Sequence, residues 1–271
     1  MIFKYKRFIS TGILLFFILS AASFSQFGQN KVQYRKFEWK YIQSPNFDVY
    51  YYDTKYLAEA AANWAEDALK SIQKTLNHKI NKRISLIVYK SHNEFQQTNV
   101  IYQYMPEGVG GVTELMKNRV VLPFEGKQYQ FKHVIHHELV HAVLNDMFYG
   151  GTLQSALATG QRQEFPLWMN EGLAEWESIG NMNTETDMFM RDVSLSDMLV
   201  GLERLYGYYA YRGGQTFYWY VAEKYGAEKV GDLVNKLKVY GTVENAFKSA
   251  FHMSLEIGRA ACRERVEISV G

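Results

Sequence analysis

A chain of 271 residues that is 47% hydrophobic and 15% aromatic can bury a sizeable core, as one domain or as two lobes sharing a cleft, and its composition excludes intrinsic disorder. Its 30 basic and 28 acidic residues nearly balance. With the two terminal segments described below set aside, 24 basic residues face 25 acidic ones, which excludes a charge-driven nucleic-acid partner.

The first 25 residues carry Lys4, Lys6 and Arg7, then a short apolar run from Gly12 to Leu19, then the small residues Ala21, Ala22, Ser23 and Ser25. That is the pattern of a cleaved secretory signal peptide, and the run is shorter than the roughly 20 residues of a membrane-spanning helix. We therefore expect an exported protein, periplasmic, cell-surface or secreted, with no transmembrane segment after cleavage.

The segments "VQYRKFEWKYI" and "NFDVYYYD" alternate apolar and polar residues around Ser44-Pro45-Asn46, and both read as strands. Residues 55–77 place Leu57, Ala61, Trp64, Ala68, Ile72 and Leu76 at helical spacing, which predicts a long amphipathic helix. "RISLIVYKS" reads as a buried strand, and "GVGGVTELMKNRVVLPF" as two short strands around a turn at Lys117-Asn118. After Gly126 a helix is expected to about Met147, stopped by Gly150-Gly151. A second begins at "EFPLWMNEGLAEWESIG", with Pro166 in its first turn and Gly180 at its end. From Asp192 to Leu255 the pattern is mostly helical, broken by "YRGGQ", Gly226 and Gly241. The order implies an α+β fold with a mixed sheet lobe over residues 26–126 and a helical lobe over residues 127–255.

The last stretch, "EIGRAACRERVEISVG", looks like the translation of a sequencing adapter opening AGATCGGAAGAGC. We expect residues 256–271 to be adapter read-through and the natural chain to continue past Leu255. The single cysteine, Cys262, lies in that stretch, so residues 26–255 offer no disulfide, no lipid-bearing cysteine and no thiolate metal ligand.

The chemistry concentrates in "FKHVIHHELVHAVL", residues 131–144, which holds four of the seven histidines. His137, Glu138 and His141 spell H-E-x-x-H, and the i, i+4 spacing brings two imidazoles to one helix face, where they can chelate one zinc ion. Glu138 is placed to take a proton from an activated water rather than to bind metal. His133 lies one turn earlier and His136 on another face, and both fall outside this ligand set. A hydrolytic zinc site usually takes a third protein ligand, which without cysteine must be His, Asp or Glu from a second rigid element. "WMNEGLAEW" offers Glu171 and Glu175 on one face, a pair that in isolation also reads as a solvated surface.

H-E-L-V-H, with N-E-G-L-A-E beginning 29 positions beyond its last histidine, resembles the gluzincin metallopeptidases, and more narrowly the peptidase-MA-like domains of exported bacterial proteins. The resemblance implies a catalytic domain of the thermolysin and aminopeptidase type with zinc in the cleft between the lobes. It implies Glu171 as third zinc ligand and Glu175 as a carboxylate orienting one of the zinc-bound histidines. The spacer "FYGGTLQSALATGQRQ" is longer than in the aminopeptidase branch and would line or cap the cleft. In related aminopeptidases a Y-x-K-G tyrosine stabilises the oxyanion. Tyr211 of "YRGG" is the matching candidate, although Gly213 stands where that motif has lysine. "GVGGVTEL" would be an edge strand that binds an extended substrate, with Gly111 and Val112 in contact, and weakly echoes the G-A-M-E-N loop, which would put Glu114 on a substrate amine.

The expectation is a zinc-dependent peptidase acting on a peptide or protein. The competing reading is a non-catalytic, zinc-stabilised binding or scaffold module of a larger exported protein. Domains of the resembled family commonly precede further modules, β-propellers among them, and here such C-terminal domains would lie beyond Leu255. The presence of Glu138 favours catalysis, since a structural site requires no base there.

Overall fold

The sheet sets where everything else can pack. In the computed structural model, which describes residues 31–101, 104–115, 117–150, 165–180 and 183–255, five strands form one mixed sheet in the order β1-β2-β3-β5-β4. These are β1 (Lys40–Gln43), β2 (Phe47–Tyr51), β3 (Ile84–Tyr89), β4 (Val112–Thr113) and β5 (Arg119–Pro123). The central three run parallel, with Val49 beside Leu86 and Leu86 beside Val120, while β1 and β4 pair antiparallel at the two edges. Alternation in β2 and β3 sends Phe47, Val49, Ile84, Leu86 and Val88 to one buried face, as the period of two requires.

Two helices cover that face. α1 (Lys55–Leu76) buries Leu57, Ala58, Ala61, Ala65, Ala68, Leu69, Ile72 and Leu76, and its alanines allow close approach to the sheet. It ends at Asn77, whose left-handed backbone (φ 47°) sends its N–H back to the carbonyls of Gln73 and Lys74. After the short α2 (His92–Phe95), α3 (Gln128–Tyr149) packs beside α1 and stops at Gly150 with φ 63°. Apolar residues are buried around most of the circumference of α3, from Phe131 and Ile135 to Leu139, Val140, Val143 and Met147, so it is an interior helix rather than an amphipathic surface one. Its buried polar residues therefore have to be satisfied by neighbours.

The rest of the described chain is mostly helical. It forms α4 (Leu167–Ile179), α5 (Thr184–Leu195), α6 (Tyr208–Tyr225), α7 (Glu228–Tyr240) and α8 (Val243–Phe251), and all of these but α5 continue one buried apolar cluster that runs from Phe47 to Leu255 through both the sheet and the helical region. Among the described residues no helix is long and apolar enough to cross a membrane.

Two expectations fail. Residues 32–39 do not pair into the sheet; only Lys40–Gln43 does. The preceding segment lies over the sheet's outer face, where Phe37 and Trp39 pack mostly edge-to-face against Tyr52 and Tyr89, Arg35 pairs with the buried Glu94, and the Gln33 amide donates to the Gln97 carbonyl. The same alternation that suits a ladder also suits a strap with one apolar side. The second failure is at "YRGGQ", which lies inside α6 instead of breaking it. α4 and α6 touch backbone to backbone there: a Cβ on Gly214 would sit 2.0 Å from the Trp168 carbonyl oxygen, and one on Gly172 would sit 2.3 Å from the Gly214 carbonyl carbon. Gly226 and Gly241 do end their helices, at φ 98° and 74°. The expected cap "FYGGTLQSALATGQRQ" falls largely on residues 151–164, and these, with the expected signal peptide (residues 1–25) and the terminal stretch (residues 256–271), lie outside the described residues.

Candidate metal centre

α3, α4 and α6 meet around His137. The i, i+4 geometry of α3 carries His137 and His141 on one face with ring centroids 4.9 Å apart, and the Gly172–Gly214 contact draws Glu171 of α4 and Tyr211 of α6 against them. His137 Nε2 lies 3.2 Å from His141 Nε2 and 3.2 Å from Glu171 Oε2, and His141 Nε2 lies 3.3 Å from the same oxygen. The three atoms form a nearly equilateral triangle. A tetrahedral ion with arms of about 2.0–2.1 Å needs ligand atoms about 3.3–3.4 Å apart, so the residues fit a zinc-sized ion.

The outward nitrogens support the same reading. His141 Nδ1 lies 3.1 Å from Asn170 Oδ1 and His137 Nδ1 lies 3.0 Å from Glu175 Oε1. The Asn170 hydrogen bond puts the His141 proton on Nδ1 and turns a bare Nε2 inward, the tautomer a ligand requires; at His137 the Glu175 carboxylate stands within ion-pair distance of Nδ1, short of hydrogen-bond geometry, and its charge favours the same tautomer. Two bare nitrogens 3.2 Å apart repel unless a proton or a cation lies between them.

The electrostatics of the chain without metal describe that proton. Burial pulls the His137 pKa down, but hydrogen bonds to Glu171 and Glu175 and the charge of Glu138 outweigh it, and the ring is pushed up to about 10. Burial likewise raises Glu171, yet His137 and His141 hold it well below the usual carboxylate range; His133 and His137 do the same for Glu175. Tyr211 is raised, first by burial and then by Glu171, to which its phenol donates. Its ring stacks on that of His137 at 6.0 Å and 10°.

A second group of possible donors, His133, His137 and Glu175, gathers on the other side of the His137 ring. His133 Nε2 lies 3.4 Å from Glu175 Oε1, but Arg212 Nη1 donates to Glu175 Oε2 at 2.8 Å. That guanidinium is a permanent positive charge against the carboxylate, and it disfavours a divalent cation there.

Glu138 projects beneath β4. Thr113 Oγ1 lies 2.7 Å from Glu138 Oε2 and 2.9 Å from the Glu138 carbonyl, donating its single proton between them. Gly111 is needed for the approach, since a Cβ there would come 2.9 Å from Glu138 Cγ and 3.1 Å from Oε1. β4, which contains Val112, hydrogen-bonds to β5 and forms the sheet edge. Glu114 is bound in an ion pair across the hairpin to Arg119 at 2.5 Å and belongs to neither group of possible metal donors. His136 lies 3.8 Å from Glu177, also outside the cluster.

Sequence reasoning missed Asn170, Thr113 and Arg212. Each stands next to a residue it did single out, Glu171, Val112 and Tyr211, and adjacency was the only available signal.

No curated protein matches the chain. A family model described as the peptidase MA superfamily matches residues 64–264, a span that includes both helices of the ligand triangle, α6 and the edge strand β4. The chain belongs to the peptidase MA superfamily.

Proposed function

We propose that this chain is an exported, zinc-dependent metallopeptidase of the gluzincin type, in which His137, His141 and Glu171 hold the ion and Glu138 is the general base. The observation that carries the reading is the triangle of two Nε2 atoms and one carboxylate oxygen with edges of 3.2–3.3 Å. Membership of a peptidase superfamily favours a peptide or protein substrate. The N-terminal pattern of basic, apolar and small residues favours export.

Zinc, when bound, supplies a Lewis acid that polarises a scissile carbonyl and acidifies a water. The protein's own residues do the remaining work. Thr113 engages Oε2 of Glu138 and so leaves Oε1, beside Gly111, as the oxygen that takes the proton from water and later passes it to the leaving amine. Tyr211 keeps its proton at neutral pH because burial and Glu171 raise its pKa, and its phenol can turn from Glu171 to a developing oxyanion. Glu175 and Asn170 hold the two imidazoles with their donor nitrogens inward. Among the described residues β4 is the last strand of the sheet, and its outer edge accepts an extended backbone by β-augmentation.

The test combines zinc analysis with digestion of a broad peptide library by wild type and Glu138→Gln. Equal zinc content, with cleavage reduced by roughly 10²–10⁴ in the variant, is the expected result. Zinc without cleavage in wild type would replace this reading with the zinc-stabilised scaffold. Absence of zinc in wild type would remove the metal centre itself.

A further inference from the structure

Arg212 is buried, sits one residue after Tyr211, and takes no part in the proposed catalysis above. Its head group is fixed at several points: Nε donates to the Tyr208 hydroxyl at 2.8 Å, Nη2 to Glu185 at 3.0 Å and Nη1 to Glu175 Oε2 at 2.8 Å. Helices α4, α5 and α6 are thereby joined through one planar, permanently charged fork, a geometry that lysine, as a point charge on a flexible stem, does not reproduce.

The consequence lies at Glu175. Its two oxygens are divided: Oε2 takes Arg212, and Oε1 faces His137 Nδ1 at 3.0 Å and His133 Nε2 at 3.4 Å. A carboxylate free to rotate would exchange its oxygens between these two imidazoles. Anchoring Oε2 fixes the carboxylate plane and aims Oε1 at His137. The ring of His137 is then held by consecutive residues of α6, by Tyr211 stacked on its face and by Arg212 acting at its Nδ1 edge through Glu175.

We infer that Arg212 is a positioning residue of the metal centre: acting through Glu175, it fixes the His137 ring so that Nε2 stands beside His141 and Glu171. The inference rests on the metallopeptidase reading above. Its closest alternative is a purely electrostatic role, which has the opposite sign, because removing a cation near a divalent ion would tighten metal binding.

The test is a zinc affinity measurement on the whole chain by competition with a chromophoric chelator, for wild type, Arg212→Met, Arg212→Lys, Glu175→Gln and the double variants, with circular dichroism as the folding control. Arg212→Met should weaken zinc tenfold to a hundredfold, roughly the effect of losing a partner that orients a ligand. Arg212→Lys should recover part of that loss. In the Glu175→Gln background either Arg212 substitution should change the affinity less than about twofold, because the route through Glu175 is already cut. If Arg212→Met does not fold, the lysine variant in the two backgrounds makes the same comparison. Unchanged or tighter binding in the Arg212 variants overturns the inference, and so does a loss of undiminished size in the Glu175→Gln background. Wild type that binds no zinc would remove the metal centre and this role together, whereas zinc binding indifferent to Arg212 removes this role alone.

Discussion

The two sides of the His137 ring carry nearly the same chemistry and have different fates. On the Nε2 side stand His141 and Glu171; on the Nδ1 side stand His133 and Glu175. Each side offers two imidazole nitrogens and a glutamate oxygen within bonding range of a common point. What separates them is the third helix. α6 places the uncharged Tyr211 on the first side and the guanidinium of Arg212 on the second. A cluster of metal-ligating residue types is therefore not yet a metal site, because the charge standing behind the carboxylate decides whether it binds a cation or orients its neighbour.

The comparison can be broken most directly at the two glutamates. Glu171→Gln removes an anionic ligand and should weaken zinc a thousandfold or more, about 4 kcal/mol, while Glu175→Gln should weaken it only tenfold to a hundredfold. Equal losses in a chelator competition would mean that the two sides are not distinct. Next in size is the helix crossing that separates them. Gly214→Ala forces a Cβ to within 2.0 Å of the Trp168 carbonyl and should lower stability by about 1–3 kcal/mol, read as a fall in the urea midpoint, and loosen zinc as α6 withdraws. An unchanged midpoint would mean that α4 and α6 can part without cost.

Smaller effects sharpen the contrast. Asn170→Ala, which frees Nδ1 of His141, should weaken zinc about tenfold, whereas His133→Ala should leave it within about threefold. A larger effect at His133 would give that side a share in the metal. The smallest is in pH. In the metal-free chain His137 is raised from an ordinary 6.5 to about 10, so its contribution to stability is complete below 6.5 and is lost as the pH rises towards 10. Glu171 and Glu175 are lowered from an ordinary 4.5, so theirs is present above 4.5 and is lost as the pH falls below it. For these groups the urea midpoint of the metal-free chain should be highest between about pH 4.5 and 6.5. A midpoint that stays level from pH 6.5 to 10 would show that the carboxylates do not hold a proton on His137.

Much of the fold was legible because its signals are local. The apolar spacing in residues 55–77 and the pair Gly150-Gly151 mark the ends of α1 and α3 to within a few residues. The strap over residues 32–39 was not legible, since alternation records which side of a segment is apolar and not whether its backbone pairs. That Gly214 does not end its helix was illegible for a related reason. Glycine inside a helix usually marks its end, and only a second helix pressed against it reveals that the missing side chain is the point. Thr113, Asn170 and Arg212 are single polar residues with no periodicity, and they acquire roles only through the partners they meet.

The sequence by itself determined the part of the site that one helix can build. Spacing of i, i+4 places His137 and His141 on one face, with Glu138 next to the first, because backbone geometry fixes neighbours one turn apart. The resemblance of N-E-G-L-A-E to a family motif implied which glutamate closes the triangle and which one turns away, but the physical reason lies in the tertiary structure alone. Glu171 and Glu175 are also one turn apart and identical in kind, so nothing within their helix tells them apart. The difference comes from α6, held against α4 at Gly172 and Gly214, which sets Tyr211 against one carboxylate and Arg212 against the other.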